Sequence, residues 1–214
     1  MPSSLKDQQI SEALRPFSVF PKKEEVAKIR EYISLLLKWN RLVSLTTVTD
    51  PLEIVRRHFG ESMFAANLLP VENCRLADFG TGAGFPGLAL KIAAPDIQIE
   101  LIESNKKKCA FLSEAVRVLE LNNVNVHSER LEQIRPDSLH ANVVTARAVG
   151  EFKLLLRWSA EALNAGGEIM LWLGAEDAAR IATNPSWIWQ PAIKIPDSQR
   201  RFILVGHPAS QSQH

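Results

Sequence analysis

Residues 76–90, LADFGTGAGFPGLAL, hold two overlapping glycine patterns, and each would do different chemistry. Counted from Gly82, the run Gly82-Ala83-Gly84-Phe85-Pro86-Gly87 is a formal G-x-G-x-x-G, the arrangement that seats a dinucleotide pyrophosphate on a helix N-terminus. Counted from Gly80, Gly80-Thr81-Gly82-Ala83-Gly84 is G-x-G-x-G with Asp78 two residues upstream, the pattern of an S-adenosylmethionine (SAM) loop. Asp78 discriminates between them. A carboxylate at the loop entrance repels a pyrophosphate, whereas it pairs, directly or through water, with the methionyl ammonium of SAM. The expected register is therefore Gly80, Gly82 and Gly84, which leaves Gly87 a helix-packing role. A tight glycine turn holding no ligand is the plain alternative.

Glu103 follows Gly84 by nineteen residues, at the end of IQIELIE, where an acid accepts from ribose hydroxyls in either cofactor class. A solvated carboxylate at a helix start is its other reading. Leu131 and Glu132 fall after the next strand-like run, where an apolar and a polar side chain would bracket an adenine edge. Arg147 closes NVVTAR, beside the expected methyl position. It is the candidate catalytic residue, donating to a base oxygen, a phosphate or the SAM carboxylate; a surface arginine after a strand is the alternative. Arg56, Arg57 and His58 could meet nucleic-acid phosphates, or could form a solvated helix face with a packed histidine. Lys106 and Lys107, with Lys108, open a helix, an unfavourable end for cations unless an anion such as RNA backbone is near. Five tryptophans offer stacking surfaces, although core packing accounts for such residues equally.

These residues need a scaffold. Val26, Ile29, Ile33, Leu36 and Leu37 recur at helical spacing, which predicts an amphipathic helix over 24–39. Asp50-Pro51 reads as an N-cap with proline at the first helical position. The helix it opens runs to about Leu69, with Ile54, Val55, Phe59, Met63 and Leu68 on its apolar stripe and Pro70 ending it. From Arg75 the texture changes. RLADF, IQIELIE, VNVHS, NVVTAR and GEIMLWL are strand-like and alternate with helical stretches near 86–94, 106–121 and 151–164. That alternation predicts parallel βαβ units in a doubly wound sheet. WIWQPAIKI, PDSQ and RRFILVG then read as strand, turn and strand. The expectation is an α/β class I SAM-dependent methyltransferase fold: a mostly parallel, Rossmann-like sheet with a C-terminal antiparallel hairpin and an N-terminal helical cap. The expected division is a cap over 1–70, a methyltransferase domain over 71–206 and a disordered tail over 207–214.

Composition narrows the class. With 214 residues, 46% hydrophobic and 23% charged, the chain can bury a sizeable core. A net charge of +1 announces neither nucleic acid nor membrane, though a local basic face remains compatible with it. Cys74 and Cys109 lie far apart without C-x-x-C or histidine company, so no metal site is expected, and free thiols in a reducing compartment are. The first residues lack the apolar run of a signal peptide, and no apolar stretch approaches the roughly 18 residues of a bilayer span. A cytoplasmic protein is the expectation.

With the glycine loop, LTTVTDP, RRHF and TARA together, the sequence resembles the RsmG (GidB) family of 16S rRNA guanine-N7 methyltransferases from about Trp39 to Leu173. The strongest block is DFGTGAGFPGLAL, followed by the acidic strand end with KKKCAFL and then VVTARAV. The resemblance implies the helical cap, SAM as cofactor, and 16S rRNA or the small ribosomal subunit as partner. It also implies cofactor contacts from Gly80, Phe85, Leu131, Glu132 and Arg147, and it lifts His58 towards a site role. Asp78 and Glu103 are added from the general methyltransferase pattern. Three positions depart from the family's habit: Ser44 for Asn, Gly60-Glu61 for Leu-Asp, and Leu173 for Lys. All lie towards the substrate side.

Guanine N7 carries an in-plane lone pair and no proton, so methylating it needs alignment rather than a general base. No Ser/His/Asp constellation stands out, which is compatible with that chemistry. Two other readings remain open: a SAM-binding ribosome-assembly or RNA-binding factor with weak or no activity, and a small-molecule methyltransferase on the same fold. Asp78 and the terminal hairpin oppose a nicotinamide enzyme. Nothing demands more than a monomer.

Overall fold

The computed structural model describes residues 5–69, 74–148 and 150–209. Helix α1 (Asp7–Leu14), a 3-10 turn at Arg15–Phe17 and α2 (Lys23–Asn40) come first. The second predicted helix starts as expected, with Pro51 in its first turn and the Asp50 carboxylate accepting the Glu53 N–H at 2.8 Å. Its interior is a composite: α3 (Pro51–Ile54), a π-helical turn (Val55–Gly60), α4 (Glu61–Met63) and a 3-10 stretch (Phe64–Leu68). Pro70, expected to end it, lies outside the described residues. The widened turn brings Gly60 against Phe17, where an added Cβ would meet the ring at 2.5 Å. Such turns insert a residue into the helical ladder and concentrate at functional sites.

The alternating half follows: β1 (Arg75–Phe79), α5 (Gly87–Ala93), β2 (Gln98–Ile102), α6 (Lys106–Val118), β3 (Val124–His127), β4 (Ala141–Arg147), α7 (Phe152–Ala162) and β5 (Leu163–Gly174). α6 and α7 end a few residues earlier than their apolar patterns suggest. Next come α8 (Ala175–Ile181), for which the sequence reading has no counterpart, then β6 (Trp187–Trp189), β7 (Ile193–Lys194) and β8 (Arg201–Pro208). The eight strands form one sheet ordered β3-β2-β1-β4-β5-β8-β6, with β7 also on β8. β1 to β5 are parallel, and β8 runs antiparallel to β5, β6 and β7, so the hairpin expected from the sequence closes the sheet.

The tail does not begin at 207: His207 and Pro208 pair with Ile188 and Trp187, and the Ala209 N–H donates to the Ser186 carbonyl at 3.0 Å. Hydrogen bonding to the edge strand orders this polar stretch although its composition carries no strand signal. The cap, for its part, shares one apolar core with the face of the sheet it covers. Ile10, Leu14, Phe17, Ile29, Tyr32 and Leu36 are all at most 2% exposed and cluster with Leu88, Leu101 and Phe111. Each such side chain contributes about 1.5–3 kcal/mol on burial. An exposed ion pair such as Arg30–Asp7 contributes at most about 1 kcal/mol, so apolar packing holds the cap in place.

Candidate active site

Strand order reverses at β1 and β4, so the crevice beyond their carboxyl ends is where an open α/β sheet takes its ligand. The glycine loop lies there. Gly80, Gly82 and Gly84 have φ of +62°, +57° and +80°, whereas Gly87 is not in the left-handed region. Backbone geometry thus separates the two patterns: the positions that require glycine for conformation are those of G-x-G-x-G. Gly87 is required for space, since a Cβ there would lie 2.7 Å from both Asp78 Oδ2 and Leu101.

The loop is tied down from several sides. The N–H groups of Gly80 and Thr81 donate to the Ile102 carbonyl at 2.9 and 3.2 Å. The Glu103 carboxylate accepts from Gly82 N at 3.1 Å and from Asn105 N at 2.8 Å, so it braces the loop against the start of α6. Asp78, fully buried, accepts from Gly87 N at 2.9 Å and from the Thr145 hydroxyl at 2.8 Å. Burial pushes its pKa up to about 6, against those hydrogen bonds. Both Asp78 oxygens therefore serve the fold, and the ammonium pairing expected from the sequence, direct or through water, would have to share them. From the cap, the Tyr32 hydroxyl donates to the Ala83 carbonyl at 2.5 Å. Tyr32 is the chain's one tyrosine, and its ring meets Phe59, Phe85 and Phe111.

A cavity of about 330 Å³ opens beside this loop, lined by Gly80, Glu103, Leu131 and Glu132 among others. Four of the sequence candidates thus converge. Leu131 is buried and Glu132 is exposed on a 3-10 turn. Gly82 and Gly84 shape the loop itself. Phe85 lies on its far side, 7% exposed, with its ring stacked on His58 at 4.9 Å and edge-on to Phe59 at 5.1 Å.

Arg147 lines a second cavity, of about 290 Å³, together with Glu61, Phe152, Trp172, Leu173 and Arg201. Its Nη2 donates to Glu61 Oε2 at 3.0 Å and to the Arg57 carbonyl at 2.9 Å, while Nη1 is buried without a partner. Arg201 reaches the other Glu61 oxygen at 2.8 Å. Burial raises the Glu61 pKa although Arg147, Arg201 and Arg57 oppose it, and burial lowers that of Arg147.

The basic candidates divide. Arg57 is exposed beside this second cavity, and Arg56 is half-buried, 3.9 Å from Glu53. His58 does not present itself to solvent as an RNA contact. Its Nε2 bonds the Thr46 hydroxyl at 2.8 Å, and burial, with three nearby arginines, drives its pKa down to about 3. Lys106 and Lys107 are exposed at the start of α6, whose N–H groups are capped by the Asn105 side chain. Sequence reasoning missed Glu61 as a site residue, treating it only as a departure, and missed Arg201, Trp172 and Tyr32. The lone tyrosine and the acid directly after RRHFG are the only local signals.

The residues fit a nucleoside-bearing cofactor: a left-handed glycine loop without Cβ atoms, a neighbouring acid, and an apolar-plus-polar wall. The fold agrees. A SAM-dependent methyltransferase from Aquifex aeolicus superposes with a TM-score of 0.62 at 16% identity, covering 79% of this chain and 96% of that one. M. jannaschii TYW2 in complex with AdoMet gives 0.54 at 18% identity over 68% and 73%. The fold is that of the class I SAM-dependent methyltransferases. Within that class the chain belongs to the GidB family, described as rRNA small subunit methyltransferase G, whose model matches residues 25–192. Proteins named Ribosomal RNA small subunit methyltransferase G are correspondingly similar. That of Dichelobacter nodosus is 43% identical over 72% of this chain and 71% of its own length. That of Xylella fastidiosa strain M23 is 37% identical over 84% and 86%.

Proposed function

We propose that this protein methylates N7 of a guanine in 16S rRNA, using SAM, as a cytoplasmic monomer acting on the small ribosomal subunit. The observation that carries the reading is the braced G-x-G-x-G loop at the sheet's switch point, in a member of the small-subunit rRNA methyltransferase G family. Among the described residues, no helix is long and apolar enough to cross a membrane.

SAM, when bound, supplies a methyl group on a sulfonium, already activated for transfer. Gly80, Gly82 and Gly84 let the backbone approach it, with Phe85 completing the loop. Glu103 would receive the ribose, and Leu131 with Glu132 would bracket the adenine. Asp78 acts chiefly by fixing the loop to β4, and through water on the ammonium. Arg147 donates to the acceptor base and leaves N7 unencumbered. Neither His58 nor Asp78 is suited to general-base work: burial drives the His58 pKa down to about 3, and Asp78 is sealed between Gly87 and Thr145. N7 has no proton to lose, so alignment and exclusion of water suffice. Arg56, Arg57, Lys106 and Lys107 contribute sequence-independent attraction to the RNA backbone.

The test is transfer of labelled methyl from SAM to 16S rRNA, presented naked and in small subunits lacking the modification, with cleavage at N7-methylguanine to map the product. A single labelled guanine, reduced by at least about a hundredfold in Arg147→Ala, is expected. SAM binding without labelling would instead favour the assembly-factor reading, and label on another atom would overturn the N7 assignment.

A further inference from the structure

Glu61 stands at the exit of the π-helical turn and is 2% exposed. An arginine opposite a carboxylate ordinarily engages it with two parallel N–H···O bonds. Glu61 instead divides its oxygens: Oε2 holds Arg147 Nη2 at 3.0 Å and Oε1 holds Arg201 Nη2 at 2.8 Å. The Glu61 backbone is fixed as well, its carbonyl accepting from Trp172 Nε1 at 2.9 Å. The Arg57 carbonyl takes Arg147 Nη2 a second time, at 2.9 Å. Every bond that grips the Arg147 guanidinium thus falls on one terminal nitrogen. The other, Nη1, is buried and unpartnered in a side chain that lines the second cavity.

Buried donors in folded proteins nearly always have an acceptor, so one left over in a side chain that lines a cavity has bonding capacity for a ligand oxygen. We infer that Glu61 is a positioning residue: it holds Arg147 by Nη2 so that Nη1 donates to the exocyclic oxygen, O6, of the guanine to be methylated. The inference rests on the guanine reading of the site. A Glu61–Arg147 pair made through both terminal nitrogens would spend an Nη1 N–H on the carboxylate and turn that nitrogen towards Glu61. Arg201 prevents that pairing by claiming the second carboxylate oxygen. Glu61 is therefore the element that sets the reach of Arg147. Phe152 lines the same cavity, and with Arg180 over one side of its ring at 5.4 Å, a base would stack on the other.

Rates of methyl transfer at saturating rRNA would be compared for the unaltered protein, Glu61→Gln, Arg147→Ala and the double variant, with SAM affinity measured by calorimetry. Glu61→Gln should lower kcat by about 10–100-fold with SAM affinity unchanged. In the Arg147→Ala background the same change should cost no more than about twofold, because its effect runs through Arg147. Glu61→Asp, which keeps the charge, should recover most of the rate. Should Glu61→Gln fail to fold, Glu61→Gln/Arg201→Met removes one charge of each sign and is compared with Arg201→Met alone, with the same loss of kcat expected. Multiplicative losses in the Glu61→Gln/Arg147→Ala variant, or an undiminished rate in Glu61→Gln, would overturn the inference while leaving guanine methylation intact. If the unaltered protein labels no guanine N7, the functional reading falls first and the O6 assignment with it.

Discussion

In the glycine loop, the backbone and the acids around it are committed to one another: Asp78 to Gly87 and Thr145, Glu103 to Gly82 and Asn105, Tyr32 to Ala83. A few residues along β4, the second cavity is built differently. Its charged groups, Glu61, Arg147, Asp177 and Arg201, come from separate parts of the chain, and they leave the buried Nη1 of Arg147 without an acceptor. The first region is a preformed cradle whose backbone and acids are paired with one another and with the cap, Thr81 Oγ1 being a buried loop atom without a partner. The second has bonding capacity in reserve. A cofactor of constant shape suits a rigid loop, while an acceptor that arrives from solvent has to supply the partner a charged pocket lacks. The two regions should therefore fail differently when perturbed.

The largest effect expected within the cradle is that of Gly84→Ala. Its φ of +80° is a conformation L side chains rarely adopt, and a Cβ would lie 2.8 Å from Leu88 as well as against the Tyr32 hydroxyl. Strain of this kind costs about 1–3 kcal/mol before the clash is counted. The variant should lose on the order of 3 kcal/mol of stability and most of its SAM affinity, as read by thermal unfolding with and without SAM. Gly174→Ala is the control, since nothing lies within 4 Å of an added Cβ there, its backbone is extended, and it is away from the cavity beside the loop. Equal losses in both would mean that the loop is no more constrained than an open strand end.

Next in size is a pair of opposed pH effects where the regions meet. His58 titrates at about 3 rather than 6.5, so the folded state excludes a proton that the unfolded chain binds. Its contribution is present above pH 6.5 and is lost as pH falls towards 3. Asp78 has the reverse sign: with its pKa raised from 3.8 to about 6, it favours folding below 3.8, an advantage lost as pH rises through 6. Between pH 7 and pH 4 each amounts to roughly 2–3 kcal/mol, and the two largely offset. Denaturant melts should show Asp78→Asn destabilised by acid more steeply than the unaltered protein, and His58→Gln less steeply. Parallel slopes in all three proteins would place both groups in solvent-like surroundings and sever the loop from its neighbours.

How much of this was legible in the sequence follows the same division. The cradle is local: β1, the loop and α5 are contiguous, and Glu103 lies one strand away, so spacing alone brought Gly80, Gly82, Gly84 and Glu103 into register. β-alternation and the closing hairpin were readable because short aliphatic runs bounded by turn residues leave few alternatives. The second cavity was not readable, because no periodicity connects residues 61, 147 and 201. Glu61 looked like a deviation and Arg201 like one of two charges opening a strand. Tertiary contact also decided His58, which Phe85 and Thr46 draw into the protein. The π-helical turn and α8 had no sequence signal strong enough to separate them from ordinary helix and loop.

The smallest effect is the most discriminating, because it asks whether the cap serves the cradle alone. Tyr32→Phe removes one hydroxyl and keeps the ring that packs on Phe59, Phe85 and Phe111. It leaves the Ala83 carbonyl without its buried donor, at a cost of about 1–2 kcal/mol. That loss falls on the loop and not on Arg147, whose grip comes from Glu61 and the Arg57 carbonyl. KM for SAM should therefore rise severalfold while kcat at saturating SAM stays within about twofold of the unaltered value, the pattern of weakened ground-state binding. A fall in kcat with KM for SAM unchanged would mean that the cap acts on the acceptor side as well, and that the two regions are one coupled unit. If neither constant changes, the Tyr32 hydroxyl plays no part in presenting the loop, and the bracing by Asp78 and Glu103 is sufficient on its own.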